Sequence, residues 1–248
     1  MPTPLRRAAP DIGYSAYQNC LLARLPDAAR QRWLPQLEWV ELQQGQVLHE
    51  SGVSPSHAYF PTTAILSLLN VTQDGASTEI AAVGNEGVIG VSLFMGGVSG
   101  SSRAVVQSAG FGLRLRAQAM RTEFERSSEV MQLLLRYTQA LMAQMGQTAV
   151  CNRHHSIDQQ LCRCLLSNLD RLGSNRIVMT HELIAGTLGV RRESVTETAL
   201  KLQAAGLINY ARGHITVLDR SGMERRACEC YRVVKGEYDR LLTHRLAA

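Results

Sequence analysis

Two short helical patterns joined by a single glycine constrain the fold of this 248-residue chain more than any other feature. The first helix can begin at Thr180, whose hydroxyl can accept hydrogen bonds from the free N–H groups of the first turn. Gly189 then supplies the positive φ that a tight turn requires. A second helix is predicted from about Arg192 to Ala205 and ends at Gly206. This order of elements is typical of a helix-turn-helix.

A predicted β-hairpin follows the second helix, with Arg212 and Gly213 at its turn, and makes the motif a winged helix-turn-helix. The second helix of such motifs enters the DNA major groove. There, Arg192 can donate to guanine and Glu193 can accept from cytosine. Residues nearer the phosphates are predicted to be Thr180, Arg191, Thr198 and Arg212. The predicted DNA-binding residues are Thr180, Arg191, Arg192, Glu193, Thr196, Glu197, Lys201 and Arg212.

The excess positive charge of the chain lies in the same region as this motif. Residues 1–150 hold 11 basic and 11 acidic side chains, whereas residues 151–248 hold 15 and 10, which accounts for the net charge of +5. A basic module beside a neutral one suits a polyanion-binding domain joined to a sensing or assembly domain.

Short strand-like runs between about Glu38 and Arg116 are separated by turn signals every eight to twelve residues, which predicts an antiparallel β-roll. A helix of about 25 residues is then predicted from Ser127 to Asn152. Its apolar stripe is expected to pair with its twin in a homodimer, and packing against its own domain is the alternative. The stripe consists of Leu134, Tyr137, Leu141, Met145 and Thr148.

The predicted fold class is α+β, with three parts. Residues 1–125 hold N-terminal helices and a β-roll like a cyclic-nucleotide-binding jelly roll, residues 126–153 hold the dimerisation helix and hinge, and residues 154–248 hold the winged helix-turn-helix. The third part starts with a capping box at Ser156 and Gln159. It ends with a single helix predicted from Met223 to Leu242.

The chain resembles Crp/Fnr-type transcription regulators, the cyclic-AMP receptor protein family, over most of its length. In the C-terminal part the resemblance is carried by Gly189-Val190-Arg191-Arg192-Glu193-Ser194-Val195, Leu202, Gly206-Leu207-Ile208, Ile215 and Asp219. In the β-roll it is carried by Gly45-Gln46-Val47-Leu48, Tyr59-Phe60-Pro61, Gly84-Asn85-Glu86-Gly87 and Ile89-Gly90. The resemblance implies a dimeric DNA-binding regulator whose affinity depends on the state of the roll.

Two departures from the family pattern change what the resemblance implies. Members that contact DNA through an Arg-Glu pair usually carry another arginine one turn later, where this chain has Glu197, so we expect a different operator. Cyclic-nucleotide binders place a glutamate on the ribose, where this chain has Val91, so we do not expect cyclic AMP as effector. The resemblance implies an effector site formed by Gly90, Val91, Ser92, Ser102 and Arg103, and the effector itself stays open.

Six cysteines in a chain of this size predict free thiols in a reducing compartment rather than a disulfide framework. Fnr-type members hold an iron-sulfur cluster near the N-terminus, but only Cys20 lies there, so no such cluster is expected. Cys151 and His155 can share a helical face, and Cys228 and Cys230 lie near the C-terminus. We assign no metal ligands from the sequence, although a redox- or metal-sensing regulator remains an alternative function.

No run of apolar residues approaches the length of a membrane span, and no apolar run follows Arg6 and Arg7, so a cytoplasmic protein without a membrane partner is expected. The expected partners are an operator DNA, a second copy of the chain, RNA polymerase and a small-molecule effector. The glycines at 84, 87 and 90 lack the spacing of a dinucleotide fingerprint, and no enzyme is expected. A nucleotide-binding module that contacts another protein is a further alternative.

Overall fold

The computed structural model describes residues 12–97 and 99–243, so the N-terminal segment with Arg6 and Arg7 lies outside it. The described part of the chain begins with three short helices: α1 (Ile12–Tyr17), α2 (Cys20–Ala23) and α3 (Asp27–Trp33). The buried side chain of Asn19 caps α2 and donates hydrogen bonds to the carbonyls of Pro61 and Gly87, both at 2.9 Å. This amide is therefore one of the contacts that join the short helices to the domain that follows.

Seven antiparallel strands form the predicted β-roll. They are β1 (Glu38–Leu42), β2 (Val47–His49), β3 (His57–Pro61), β4 (Ile65–Val71), β5 (Ser77–Val83), β6 (Arg103–Ser108) and β7 (Gly110–Arg116). One sheet has the order β1-β7-β3 and the other has the order β2-β6-β4-β5. Phe60, Leu66 and Leu113 are fully buried between them and help to form the core of the roll. The tight connection between β4 and β5 contains a turn at Asp74 and Gly75.

The predicted long helix is confirmed as α5 (Ser128–His154), which follows α4 (Ala117–Arg126). The prediction that its apolar stripe pairs with a twin is wrong. Leu134, Tyr137 and Leu141 are almost fully buried within the same chain, and the Tyr137 hydroxyl donates to the carbonyl of Val88 at 2.9 Å. The β-roll and Tyr238 near the C-terminus both pack against this stripe, so the alternative, packing within the same chain, is correct.

The C-terminal part begins with α6 (Ile157–Leu172), whose predicted capping box between Ser156 and Gln159 is present. The predicted winged helix-turn-helix is also present. Its elements are β8 (Arg176–Val178), α7 (His181–Leu188), α8 (Arg192–Ala204), β9 (Ile208–Ala211) and β10 (His214–Val217). The three strands form one sheet with the order β8-β10-β9.

The predicted single helix at the C-terminus is in fact two helices, α9 (Arg220–Arg226) and α10 (Cys230–Thr243). The chain between them is extended at Ala227, with φ −61° and ψ 147°, and this conformation ends the helical hydrogen bonding. The break lets α10 return and pack against α5, where the Tyr238 hydroxyl donates to Oε1 of Gln144 at 2.9 Å. None of the described helices is long and apolar enough to cross a bilayer.

A mostly buried ion pair joins the β-roll to the C-terminal part. Nε of Arg171 on α6 lies 2.8 Å from Oε1 of Glu86, and the same guanidinium donates to the carbonyl of Ala82 at 3.0 Å. Burial acts to lower the pKa of Arg171, but Glu86 more than offsets this effect and keeps the pKa above its ordinary value. A Cβ at Gly84 would lie 2.7 Å from Cγ of Arg171, so this position needs glycine for the guanidinium to pass.

A second polar contact across the same boundary involves Glu79. Nε2 of Gln107 donates both to the Glu79 carboxylate at 3.0 Å and to the Thr187 hydroxyl on α7 at 3.3 Å. Burial raises the pKa of the Glu79 carboxyl above its ordinary value of 4.5, although a hydrogen bond from Ser67 acts in the opposite direction. The contact between the two parts therefore includes a carboxyl that favours its protonated form more than a free glutamate does.

The raised pKa of Glu79 predicts a pH-dependent stability effect. A carboxyl whose pKa is raised by folding stabilises the native state most below pH 4.5, and this contribution is lost as the pH rises through the native pKa. Glu79→Gln does not titrate, so its free energy of unfolding relative to the unmodified protein should increase from about pH 4 to about pH 8. Urea denaturation at several pH values measures this difference.

Glu38→Gln is the matched control, because a hydrogen bond from Arg114 lowers the pKa of Glu38. The relative stability of that variant should therefore fall as the pH rises, which is the opposite slope. Equal slopes for the two variants would contradict the assignment.

Candidate nucleic-acid interface

The helix-turn-helix is held together by one cap, one glycine turn and an apolar core. The Thr180 hydroxyl accepts from the N–H of Leu183 at 3.2 Å, as expected for an N-cap. Gly189 has φ 66°, and its N–H donates to the carbonyl of Ala185, so the turn adopts the left-handed conformation that glycine favours. Val195 on α8 is fully buried in the core of the C-terminal part, which fixes the face that α8 turns outward.

The predicted base-contacting residues lie on the exposed face of α8. Arg192 and Glu193 form its first turn, and Glu197 and Lys201 follow on the same side of the helix at spacings of four. All four side chains are exposed, as is Arg191 in the N-cap position. Within the described part of the chain, neither Arg192 nor Glu193 takes part in an ion pair. Both charged groups are therefore free to meet a ligand that approaches the N-terminus of α8.

The two predicted threonine contacts on α8 differ in their surroundings. The Thr196 hydroxyl donates to the carbonyl of Arg192 at 3.1 Å and lies 2.9 Å from Nδ1 of His181, so part of its hydrogen-bonding capacity is used inside the protein. Thr198 is buried, with 6% of its surface exposed, and the prediction that it lies near phosphates is wrong. The spacing of three from Val195 places Thr198 on the inner face of the helix.

His181 has a structural role that the sequence analysis did not identify. Its ring stacks on Tyr210 of the wing, with 4.2 Å between ring centroids and 15° between planes, and it contacts Thr196 of α8. Burial lowers the pKa of His181, and the positive charge of Arg192 lowers it further, so the neutral ring is favoured. This histidine connects the wing to α8. No local pattern could have indicated it, because both partners are distant in sequence.

The wing places a further predicted residue at the surface. Arg212 and Gly213 form the two-residue turn between β9 and β10, with φ values of 49° and 80°. Gly213 accepts a hydrogen bond from the N–H of Met179 at 2.9 Å, which fixes the hairpin next to Thr180. The exposed side chain of Arg212 therefore lies at the tip of the wing, and Thr180 is exposed at the start of α7.

A cavity of about 240 Å³ lies between the β-roll and α5, at the predicted effector site. Four predicted effector residues contribute to its lining, namely Gly90, Val91, Ser92 and Ser102. Arg103 is not among the described lining residues, and Nε of its guanidinium lies 3.1 Å from the Glu50 carboxylate. The lining also includes Leu141, Met142 and Met145 of α5, so the cavity contacts the long helix directly.

Comparison with known proteins agrees with this architecture. Residues 159–226 match the Crp-like helix-turn-helix domain family. FixK2 from Bradyrhizobium japonicum has a similar structure, with a TM-score of 0.68 and 14% sequence identity over 77% of this chain and 98% of that chain. A Crp/Fnr family transcriptional regulator from Eubacterium rectale gives a TM-score of 0.65 and 19% identity, over 83% and 96% of the two chains.

The c-di-GMP responsive global regulator CLP from Xanthomonas campestris gives a TM-score of 0.62 and 12% identity, over 78% of this chain and all of that chain. No curated protein matches the sequence. The matched domain contains the whole helix-turn-helix and wing, and the structural similarity extends over the β-roll and the long helix. The chain therefore has the fold of Crp/Fnr-type transcription regulators and carries a Crp-like helix-turn-helix domain at residues 159–226.

Proposed function

We propose that this protein is a dimeric, sequence-specific regulator of transcription that inserts α8 into the major groove of its operator. The observation that carries the proposal is the exposed first turn of α8, where Arg192 and Glu193 have no ion-pair partner among the described residues. In this role Arg192 donates two hydrogen bonds to guanine, and Glu193 accepts one from cytosine. Glu197 modifies the preference one turn further along, because a carboxylate accepts from cytosine and cannot donate to guanine.

Contacts to the phosphates would fix the position of α8 in the groove. Arg191 precedes the helix, Arg212 lies at the tip of the wing and Thr180 lies at the start of α7, and all three side chains are exposed. Lys201 and Thr196 lie on α8 itself, and the lysine can add a further phosphate contact. The net charge of +5 in residues 151–248 supports the same function, because it attracts a polyanion to this part of the chain.

Dimerisation is supported by an exposed apolar face of α5, which lies beside the stripe that is buried within the chain. Leu135, Met142 and Val150 lie on this face with exposed fractions of 44%, 63% and 45%. Exposed apolar residues at near-heptad spacing are typical of a helix that pairs with another helix. Two copies related by a two-fold axis would then bind half-sites whose centres are about 34 Å apart.

We propose that the cavity between the roll and α5 binds a small-molecule effector that shifts the equilibrium between two arrangements of the dimer. A phosphate-bearing effector would need Arg103 to leave Glu50, since no arginine or lysine is present among the described lining residues. In the cytoplasm the regulator would act with RNA polymerase. A regulator that senses metal or redox state through its cysteines is the second candidate, favoured by the proximity of Cys151, His155, Cys228 and Cys230.

Selection of bound sequences from random duplexes tests the DNA-binding role, and Arg192→Ala tests the assigned contact. Loss of one bidentate contact should reduce the discrimination at one base pair by about 1–3 kcal/mol in gel-shift titrations. Arg232→Ala removes another exposed arginine, from α10, and should leave the preference unchanged. An Arg192→Ala protein with the full preference of the unmodified protein would refute the role of Arg192. Binding that did not weaken with added salt would argue for a protein partner instead of DNA.

A further inference from the structure

Four potential metal ligands meet at the junction between the long helix and the C-terminal part. They are Cys151, His155, Cys228 and Cys230, here called the junction cluster, and their ligand atoms all lie within 4.8 Å of one another. Sγ of Cys151 lies 3.5 Å from Sγ of Cys228, and Sγ of Cys230 lies 3.4 Å from Nδ1 of His155. In a tetrahedral zinc site neighbouring sulfur and nitrogen ligands are about 3.5–3.8 Å apart, given the lengths of zinc bonds.

The junction cluster depends on two places where helices end. Cys151 lies in the last turn of α5, and His155 is the C-cap residue with an extended backbone. Cys228 lies in the break between α9 and α10, and Cys230 is the first residue of α10. On a continuous helix two residues separated by one position point about 200° apart, so the break is what lets both sulfur atoms face the same point.

The surroundings of the junction cluster are those of a metal site. Nε2 of His155 lies 3.3 Å from the Glu229 carboxylate, so its Nδ1 can direct a lone pair toward the three sulfur atoms. A carboxylate on the outer nitrogen commonly orients a metal-binding histidine. Nε2 of Gln147 donates to Sγ of Cys230 at 3.1 Å, which stabilises negative charge on that sulfur.

The other two buried cysteines of the C-terminal part provide a contrast. Sγ of Cys162 lies near the sulfur of Met223, and Cys164 lies near the side chain of Asn168, so neither belongs to a group of potential ligands among the residues that the structure describes. Both are ordinary buried thiols of the core.

We propose that the junction cluster binds one thiophilic divalent ion, with Zn²⁺ as the best fit, through three cysteine sulfurs and Nδ1 of His155. The three cysteines are at least 96% buried, and four protein ligands complete a tetrahedron, so the site is closed rather than catalytic. The ion joins the end of α5 to the break before α10. Because Gln160 on α6 also donates to the carbonyls of Cys151 and His155, the bound ion restrains the segment from which the C-terminal part begins.

Metal content of the intact protein is the direct test. Full-length protein purified under reducing conditions should contain one zinc ion per chain by elemental analysis. Replacement of zinc by Co²⁺ should produce the visible absorption of tetrahedral cobalt together with a thiolate charge-transfer band. Neither readout depends on DNA binding. The experiment can therefore contradict the metal site without contradicting the proposed regulatory function, and loss of DNA binding would not contradict the metal site.

Matched variants identify the ligands. Cys228→Ser and His155→Gln should lose the cobalt spectrum and the bound zinc, whereas Cys20→Ser and the neighbouring His154→Gln should keep both. Glu229→Gln should weaken zinc binding about 10- to 100-fold without changing the stoichiometry. The cobalt titration of the unmodified protein needs no variant and keeps the test valid if a cysteine variant fails to fold.

Three results would overturn the proposal. The first is unmodified protein that binds neither Zn²⁺ nor Co²⁺ under reducing conditions. The second is an unchanged cobalt spectrum in both Cys228→Ser and His155→Gln. The third is freshly reduced protein in which Cys151 and Cys228 form a disulfide, detected as a mass lower by two hydrogens.

Discussion

Arg171→Ala is expected to lower the free energy of unfolding by about 3–5 kcal/mol, because it leaves a mostly buried carboxylate without its partner. The side chains of Arg171 and Glu86 are only 10% and 20% exposed, and the guanidinium also satisfies the carbonyl of Ala82. Removing it leaves an uncompensated charge and an empty space beside Gly84, and the Ala82 carbonyl keeps only its hydrogen bond from Gln144. Urea denaturation followed by tryptophan fluorescence measures the change, since Trp33 and Trp39 lie in the N-terminal part.

Arg240→Ala is the matched control for this experiment, because the ion pair of Arg240 with Glu237 is exposed on α10. Exposed pairs of this kind contribute about 0.2–1 kcal/mol, so the control should change little. The double variant Arg171→Ala with Glu86→Gln separates the stability contribution of the ion pair from that of packing around Arg171. In this variant the uncompensated charge is gone, so part of the lost stability should return. A loss below about 1 kcal/mol for Arg171→Ala would contradict the view that this pair joins the two parts.

Features specified by short stretches of sequence could be predicted. Thr180 marks the start of α7, Gly189 marks its end, and Gly206 follows the end of α8. Each acts on backbone groups within a few residues. The exposed position of Arg192 follows from the same pattern, because Val195 and Leu202 define the buried face of α8. The winged helix-turn-helix could therefore be predicted, together with most residues of its outer face.

Features that depend on distant partners could not be predicted. Strand β8 has only three residues and forms because it pairs with β10, which lies nearly forty residues further along the chain. The stripe of α5 that contains Tyr137 has the same spacing whether a twin or the same chain covers it. Its spacing therefore could not show that it packs within the same chain. The junction cluster joins residues 77 positions apart, and it also requires a helix break that the local pattern does not indicate.

Met142→Glu is expected to convert the proposed dimer into a monomer. Met142 lies in the middle of the exposed apolar face of α5, between Leu135 and Val150, and pairing of two α5 helices would bring two glutamates together without water. A monomer contacts one half-site, so affinity for a symmetric operator should fall toward the non-specific level, a loss of about 10³-fold or more. Sedimentation analysis measures the assembly state, and gel-shift titration measures the affinity.

A control variant tests whether the effect of Met142→Glu depends on the position of the new charge. Gln118→Glu introduces the same charge at an exposed position of α4 and should leave both assembly and affinity unchanged. Because Met142 also lines the cavity between the roll and α5, an altered cavity is a second route to weaker DNA binding. Leu135→Glu separates the two routes, since Leu135 is outside the described lining of the cavity and lies on the same face of α5. If Leu135→Glu remained dimeric and bound the operator normally, this face of α5 would not be the dimer interface.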